Sequence, residues 1–304
     1  MTISYHTIFT KLILLIIGLL AWHEVRFCRF FRTASFLKSA NRKHFFLLYF
    51  FGVIGFVCAF FTIFPKNKNV MAKPLLVALT GAGISVESGL STFRDAGGYW
   101  DNYRVEDVAT PEGLARNPQM VIDFYNGLRA KLATIKPNEG HKALVRLEQY
   151  FDVHVVTQNV DNLHEQAGSK QIVHLHGELT KVRSIANENL IYDIGYKPIK
   201  LGDKAEDGQQ LRPHIVFFGE GVPEMERAIP LAEKADVFVV IGTSLNVYPA
   251  AGLLRYTRRE IPKFIIDPKM VPYPTNENYT YINKSAGEGG RILEQKLKEL
   301  YHLS

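Results

Sequence analysis

The chain has 304 residues, 47% hydrophobic and 22% charged, room for one large domain or two small ones with an ample core. Nine of its 36 Lys and Arg but only one of its 30 acids, Glu24, fall in residues 1–70, so the net charge of +6 belongs there, and the rest, at −2, carries no nucleic-acid footprint. Both cysteines, Cys28 and Cys58, also precede residue 71, which excludes a disulfide framework or a cysteine zinc site beyond it.

Phe45 to Phe64 is an apolar run without a charge, long enough to cross a bilayer, and Ile8 to Trp22 is a shorter one broken by Lys11. Arg26, Arg29, Arg32, Lys38, Arg42 and Lys43 lie between them. A loop of that bias stays cytoplasmic, which would carry everything after residue 64 outside. Two readings follow. Either residues 1–70 are a genuine apolar and basic extension with a membrane segment at 45–64, or Met71, which leads straight into the first strand, is the true start. Thirteen of the twenty Phe precede Met71, a skew expected of translated AT-rich sequence, and the second reading is preferred. The unit after Met71 is then expected in the cytoplasm, and at a membrane only if the extension is genuine. No small-residue cleavage pattern follows the first run, which argues against a signal peptide.

Leu75 to Leu79 is an apolar run of strand length. It feeds Thr80-Gly81-Ala82-Gly83, whose small residues admit a ligand close to the backbone. Ser85, Glu87 and Ser88 suit the first turn of a short helix whose free N–H groups would face that ligand. Together these predict a diphosphate cradle, with a ligand-free βα turn as the plain alternative. Val86 stands at the third glycine of the dinucleotide fingerprint, and no acidic residue closes a second strand about 20 positions on. Phe93 and Arg94, then Gly97-Gly98-Tyr99-Trp100, predict a glycine-rich lid over a nucleotide. Val105 to Thr110 is expected as loop and short turns. Asn117 and Pro118 predict a helix start, with Val121, Phe124, Tyr125, Leu128 and Leu132 at helical spacing. Asn138 caps the next helix, with Leu144, Leu147 and Tyr150 on one face.

Asp152 to Thr157 predicts a second strand, ending in Gln158-Asn159-Val160-Asp161. Ile172 to Leu175 predicts a third, followed by His176-Gly177-Glu178-Leu179. Polar clusters just past strand C-termini are where open α/β sheets bind ligands. A lone His is more often structural. Two clusters at successive strand ends favour a catalytic His176, because a neutral imidazole can take a proton from a sugar hydroxyl near neutral pH. His164 and His174 are read as structural. His174 and His176 share a strand face and with Glu178 raise metal binding, but no third ligand of clear spacing is visible and no metal is expected.

Val182 to Arg212 predicts a strand pair with polar turns, packed by Leu190, Ile191, Tyr192, Ile194 and Ile199. Arg212 to Glu220 reads as a strand with an exposed end. Pro223 to Lys234 is helical, and Asp236 to Ile241 is a buried strand closing on Gly242-Thr243-Ser244. Phe264 to Ile266 is expected as the last strand, ending at Asp267. A closing helix starts near Ala286, with Ile292, Leu293, Leu297 and Leu300 as its apolar face.

In this order, the string from Gly81 to Trp100, TQNVD at 157–161, HGEL at 176–179 and GTS at 242–244 closely resemble the motifs of sirtuins, the NAD-dependent protein-lysine deacylases. Residues 71–304 resemble the class III members over essentially their full length. The resemblance implies an α/β fold: a Rossmann-like parallel sheet with helices on both faces, plus a small domain from insertions at about 101–150 and 182–212. It implies NAD as cofactor, held at the first turn by Gly81, Ala82, Gly83, Ser85 and Glu87, and at the lid by Phe93, Arg94, Tyr99 and Trp100. Gly242, Thr243 and Ser244 serve the same ligand, with Asp267 and Ala286 at its adenosine end. His176 is the implied general base acting through the ribose hydroxyls. Asn159 would position water and cofactor, Gln158 would touch the ribose, Asp161 would hold the nicotinamide carboxamide, and Val160 lies between them.

On the substrate side, Val216, Phe217, Phe218, Gly219 and Glu220 would pair with an extended peptide by strand addition, with Phe217 and Phe218 lining the acyl-lysine tunnel and Val247 close by. In class III sirtuins a Tyr and, three residues on, an Arg bind the carboxylate of succinyl- or malonyl-lysine. Tyr125 matches that Tyr, but the third residue on is Leu128, and Arg129 is turned about 100° further round the helix. Sirtuins usually carry a four-cysteine zinc ribbon where residues 182–212 stand. This stretch has no cysteine, so no zinc of that type is expected.

The implied activity is deacylation of protein lysines, with release of nicotinamide and O-acyl-ADP-ribose. Acetyl is the expected acyl group, and desuccinylation or demalonylation is left open. The implied partners are acylated lysine side chains, with no nucleic acid, and a membrane only if residues 1–70 are real. Two rivals stand beside this reading: mono-ADP-ribosylation on the same fold, and a non-catalytic module that binds NAD or peptide. Asn159, Asp161 and His176 argue against the second, since a binder needs no base.

Overall fold

The computed structural model describes residues 72–91, 103–273 and 278–303. The two N-terminal apolar runs and the lid residues Phe93, Arg94, Tyr99 and Trp100 lie outside the described residues. Among the described residues no helix is long and apolar enough to cross a membrane.

The strands in chain order are β1 (Leu75–Thr80), β2 (Asp152–Thr157), β3 (Gln171–His174), β4 (Gly177–Ser184), β5 (Ile191–Asp193), β6 (Leu211–Ile215), β7 (Val237–Ile241), β8 (Lys263–Ile266) and β9 (Tyr279–Ile282). Six of them form one parallel sheet in the order β3-β2-β1-β7-β8-β9. Its central strands are continuous apolar runs because both faces are covered. Leu76, Ala78, Val153, Val155, Val237, Val239 and Ile241 bury on one face, under α4 (Glu139–Leu147) and α7 (Ala286–Leu300). Val77, Leu79, Val156, Phe238, Val240 and Ile265 bury on the other, under α6 (Met225–Lys234) and a 3-10 helix at Ala250–Tyr256. The period of two along each strand thus supplies two cores from one sheet. The expected Rossmann-like sheet with helices on both faces is the observed one.

Chain order leaves β1 for β2 on one side and returns to β7 on the other. The order therefore reverses between β1 and β7, and a crevice opens at their carboxyl ends.

The second layer is a three-stranded antiparallel sheet, β5-β4-β6, packed against α3 (Pro118–Leu132). Local chemistry sets the helix starts. The Asn117 side chain accepts from Met120 N at 3.1 Å and the Asn138 side chain from Gly140 N at 2.8 Å, as expected of both caps. The segment expected as loop before α3 instead forms α1 (Val105–Val108) and α2 (Pro111–Arg116), the latter capped by Thr110. β9 was not expected. Its three residues before Ile282 are only half-buried, so it lacks the apolar run that marks β7 and β8. In the cysteine-free insertion Ile199 packs with Ile122 and Val182, while Ile191 is 43% exposed and does not share in that core. Ser184 ties the end of β4 down: its Oγ donates to Asp207 Oδ2 at 2.6 Å and accepts from the backbone N–H groups of Ala186 and Asn187.

Candidate active site

The turn after β1 and the turn after β7 interlock. Gly81 N donates to Ile241 O at 3.0 Å and Gly83 N to Gly242 O at 2.8 Å. A Cβ on Gly83 would lie 2.6 Å from Gly242 Cα, and one on Gly81 2.7 Å from Thr243 Cβ. The glycines therefore let two turns touch each other, a second reason for small residues here beside the expected approach of a ligand. The helix after them is a 3-10 helix, Ala82–Ser88, and its Ile84 N donates to Gly81 O. Two of the N–H groups expected to face a ligand are thus satisfied within the protein. Glu87 is also committed: its carboxylate accepts from Ser285 Oγ at 3.0 Å and from Gly287 N at 2.6 Å, holding the N-terminus of α7. Ala82 is half-buried beside the crevice, and Ser85 is buried.

Below these turns sits a buried polar cluster from the ends of β1, β2 and β7. Ser85 Oγ donates to Asp161 Oδ2 at 3.0 Å, and Asp161 Oδ1 accepts from Leu163 N at 3.1 Å. Burial holds the Asp161 carboxyl above its ordinary range in spite of those bonds. Asn159 Nδ2 donates to Gly81 O at 3.2 Å and to Ser85 Oγ at 3.3 Å. Gln158 Nε2 donates to Thr243 Oγ1 at 3.0 Å, joining the β2 and β7 ends. Val160 is half-buried, and its carbonyl accepts from Leu179 N at 2.7 Å.

His176 joins this cluster from the β3–β4 connection. Its Nδ1 lies 2.9 Å from Gln158 O, so Nδ1 carries the hydrogen and Nε2 the lone pair. Burial lowers its pKa from the ordinary 6.5, against the Gln158 bond, which raises it. His164 is structural, as expected: it is fully buried, its pKa is pushed well down by that burial, and its Nε2 lies 3.0 Å from Thr80 Oγ1. Thr80 Oγ1 donates to Thr157 Oγ1 at 2.8 Å, and Thr157 Oγ1 accepts from Asn159 N at 3.0 Å. His174, read from the sequence as structural, faces protein groups with both ring nitrogens. Its Nδ1 lies 3.1 Å from Asn159 O and its Nε2 2.7 Å from Glu165 Oε1, so it touches the cluster directly. The third member of this group, which spacing did not reveal, is Glu165 from α5 (Leu163–Ala167), and donor atoms of Glu165, His174 and Glu178 lie within 4.8 Å of one another. His176 is not among them. Glu178 also pairs with Lys181.

On the substrate side, Val216 N donates to His176 O at 2.9 Å and Phe218 N to Ala109 O at 2.9 Å, so the segment after β6 is a loop tied to two walls of the site. Phe217 is buried and stacks on Tyr125 with ring centroids 5.9 Å apart, whereas Phe218 is 49% exposed. Gly219, at φ +92, turns the chain so that Glu220 points inward. Glu220 accepts from Arg212 Nη1 at 2.6 Å, from Arg183 Nη2 at 3.3 Å and from Phe217 N at 2.8 Å. Its carboxylate therefore holds the loop in shape. Leu128 is half-buried in the apolar cluster of Tyr125 and Phe217. Arg129 is fully buried, donating Nε to Leu179 O at 2.8 Å and Nη1 to Asn126 Oδ1 at 2.7 Å; burial pushes its pKa down to about 10.

Toward β8 the site is more open. Ser244 and Val247 are half-buried. Asp267 Oδ1 accepts from Lys269 N at 2.8 Å, and burial raises its carboxyl pKa. Ala286 is buried at the start of α7 against Gly140.

Residues 81–249 match the family model described as the Sir2 family. A Bacteroides thetaiotaomicron protein named NAD-dependent protein deacylase is 58% identical over 229 residues, 73% of this chain and 97% of that protein. A Helicobacter pylori protein of the same name is 49% identical over 225 residues, 74% of this chain and 98% of that protein. Among solved structures, a Sir2 homolog in complex with NAD superposes with a TM-score of 0.68 at 38% identity, covering 75% of this chain and 90% of that one. A Sir2 protein bound to an acetylated peptide does so with a TM-score of 0.61 at 28% identity, covering 76% and 95%.

Proposed function

The chain belongs to the Sir2 family, and from that premise we propose that it is an NAD-dependent protein deacylase acting on acyl-lysine side chains. One observation carries the reading: His176, Asn159, Asp161 and Ser85 converge at strand ends where the sheet order reverses. The donor set fits the cofactor. Hydroxyl, amide and carboxylate groups from Ser85, Thr243, Gln158 and Asp161 match the hydrogen-bonding needs of ribose hydroxyls and a carboxamide. When bound, NAD supplies the ribose carbon that takes the acyl oxygen, with nicotinamide as leaving group.

The chain's own residues then do the following. His176 spends its Nδ1–H on Gln158 O, and burial keeps the ring neutral, so Nε2 is ready to take a proton from a sugar hydroxyl near neutral pH. Asn159 has its amide nitrogen held by Gly81 and Ser85, and its Oδ1, which no described residue engages, is the atom offered to water or ligand. Asp161 is a buried acceptor suited to a carboxamide N–H. Phe217 and Tyr125, stacked on each other, are the apolar pair assigned to the acyl chain's path.

Two finer readings accompany this one. Leu128 fills the place beside Tyr125, and the Arg129 guanidinium is turned to Leu179 O, so neutral acyl groups such as acetyl are favoured over succinyl or malonyl. We infer further that the small domain does without zinc: residues 182–212 carry no cysteine, and the bond from Ser184 to Asp207 and the apolar contacts of Ile199 support that reading. The catalytic unit is assigned to residues 71–304.

The test is the full-length protein with NAD and a panel of acetyl-, succinyl- and longer acyl-lysine peptides, read by mass spectrometry. Released nicotinamide with O-acetyl-ADP-ribose is expected, and His176→Ala should lose product while still binding NAD in calorimetry. ADP-ribosylated protein in place of O-acyl-ADP-ribose would move the assignment to mono-ADP-ribosylation. No product from any peptide would move it to a binding module.

A further inference from the structure

Asn159 is gripped at both ends of its own residue. On one side its N–H donates to Thr157 Oγ1, which is set by Thr80 and, through Thr80, by the buried His164. On the other its carbonyl faces His174 Nδ1 at 3.1 Å. His174 is itself caught between acceptors. Nδ1 points at a carbonyl and Nε2 at the Glu165 carboxylate 2.7 Å away, and neither partner can donate. A neutral imidazole carries one N–H and could satisfy only one of them. The doubly protonated ring satisfies both.

We propose that His174, held as an imidazolium between Glu165 and the Asn159 carbonyl, is a positioning residue that fixes the Asn159 backbone for the deacylase reaction. The proposal rests on the assigned function for its activity readout and on geometry for its chemistry. With the second proton gone, the Nε2–H tautomer would desert the Asn159 carbonyl, and the Nδ1–H tautomer would turn a lone pair on the Glu165 carboxylate. Either way one charge-assisted hydrogen bond is lost at the residue that must orient water and ligand.

The charged surroundings favour the proton. Glu165 of α5 touches the ring, and Glu178 of β4 is 3.9 Å away with Lys181 on its second oxygen. Asp161 faces it from the loop after β2, and the nearby His164 is neutral. Burial alone would lower the His174 pKa, but the hydrogen bond and charge of Glu165, followed by Glu178, leave it raised above 6.5. His174 and His176 are thus neighbours shifted in opposite directions, one kept charged and one kept neutral.

The test uses full-length wild type, Glu165→Gln, His174→Asn and His174→Leu, with kcat/KM for NAD measured from about pH 6 to about pH 9 on an acetyl-lysine peptide. Wild type is expected to lose activity on the alkaline side. Glu165→Gln keeps an acceptor but no charge, so its alkaline fall begins at lower pH. His174→Asn offers an amide N–H near the place of Nδ1 and does not titrate, so the alkaline fall disappears and neutral-pH activity stays within about threefold. His174→Leu loses about tenfold or more across the range, the worth of one charge-assisted hydrogen bond. An unmoved alkaline limb in Glu165→Gln, or wild-type kcat/KM in His174→Leu, overturns the proposal. Glu165 is at the surface, so its variant keeps the test valid if the His174 variants misfold. The His174 Cε1–H resonance, followed by NMR against pH, decides independently of turnover. A midpoint above 6.5 that drops in Glu165→Gln supports the ion pair even if no peptide is deacylated, and an equal midpoint in both refutes it.

Discussion

Gly83→Ala puts a methyl group where the two turns of the crevice meet. Its Cβ would lie 2.6 Å from Gly242 Cα, 2.7 Å from Gly242 O and 2.9 Å from Gly242 C, where ordinary contact begins at 3.4 Å. All three atoms are backbone, so no side chain can rotate away, and the turns must part by about 0.8 Å. Overpacking of this kind costs about 1–3 kcal/mol, of which the stiffer unfolded chain of an alanine returns about 0.4–1 kcal/mol. The net loss, about 1–2 kcal/mol, corresponds to a melting temperature lower by about 2–8 °C in a unit of this size. The same displacement strains the Gly83–Gly242 and Gln158–Thr243 bonds, and kcat/KM for NAD should fall on the order of a hundredfold. Thermal melting and steady-state kinetics read the two effects. Gly208→Ala is the control: at φ +76 with nothing within 4 Å, it costs about 1 kcal/mol in backbone strain and should leave kinetics alone. Wild-type kinetics in Gly83→Ala would refute the view that the contact between these turns shapes the site.

Three further outcomes are expected. Burial holds His141 and His214 down to about 4 and His164 well below 6.5, so the unfolded chain binds more protons between those limits; the stability due to their neutral forms is present above pH 6.5 and lost as pH falls toward 4, and a flat melting temperature over that range would contradict it. Ser184→Ala leaves two backbone N–H groups without their acceptor and should cost about 1–3 kcal/mol in denaturant unfolding, whereas a chelator should leave the wild-type midpoint unmoved if the small domain holds no zinc. Leu128→Arg places a guanidinium beside Tyr125 and should raise the succinyl-to-acetyl ratio of peptide deacylation by about tenfold or more; an unchanged ratio would show that the acyl carboxylate does not reach Tyr125.

Much of the fold was legible because its signals are local. Apolar runs at 75–79, 152–157 and 236–241 are strands wherever they are placed, since runs that short and that apolar bury in a two-sided sheet. Asn117 and Asn138 stop and start helices through bonds to residues two or three positions on. The site lay on strand ends for the same reason. Where the local signal was weak the reading failed: β9 is only half-buried along most of its length, and the turns before α3 have no apolar period to mark them as helices.

The partners of each polar group were a matter for the tertiary structure. That Gly83 touches Gly242 follows only from the return of β7 beside β1. Glu87 caps a helix 200 residues away, Glu220 bends back to Arg183 and Arg212, and Arg129 is buried on Leu179. Glu165 of α5 meets His174 of β3, and no spacing in the chain announces it. A hydrogen bond needs its two atoms within about 3 Å, and for groups far apart in sequence that distance is set by how the layers pack. The residue types that chemistry requires are written along the chain; which of them hold a ligand and which hold each other is settled when the sheet closes.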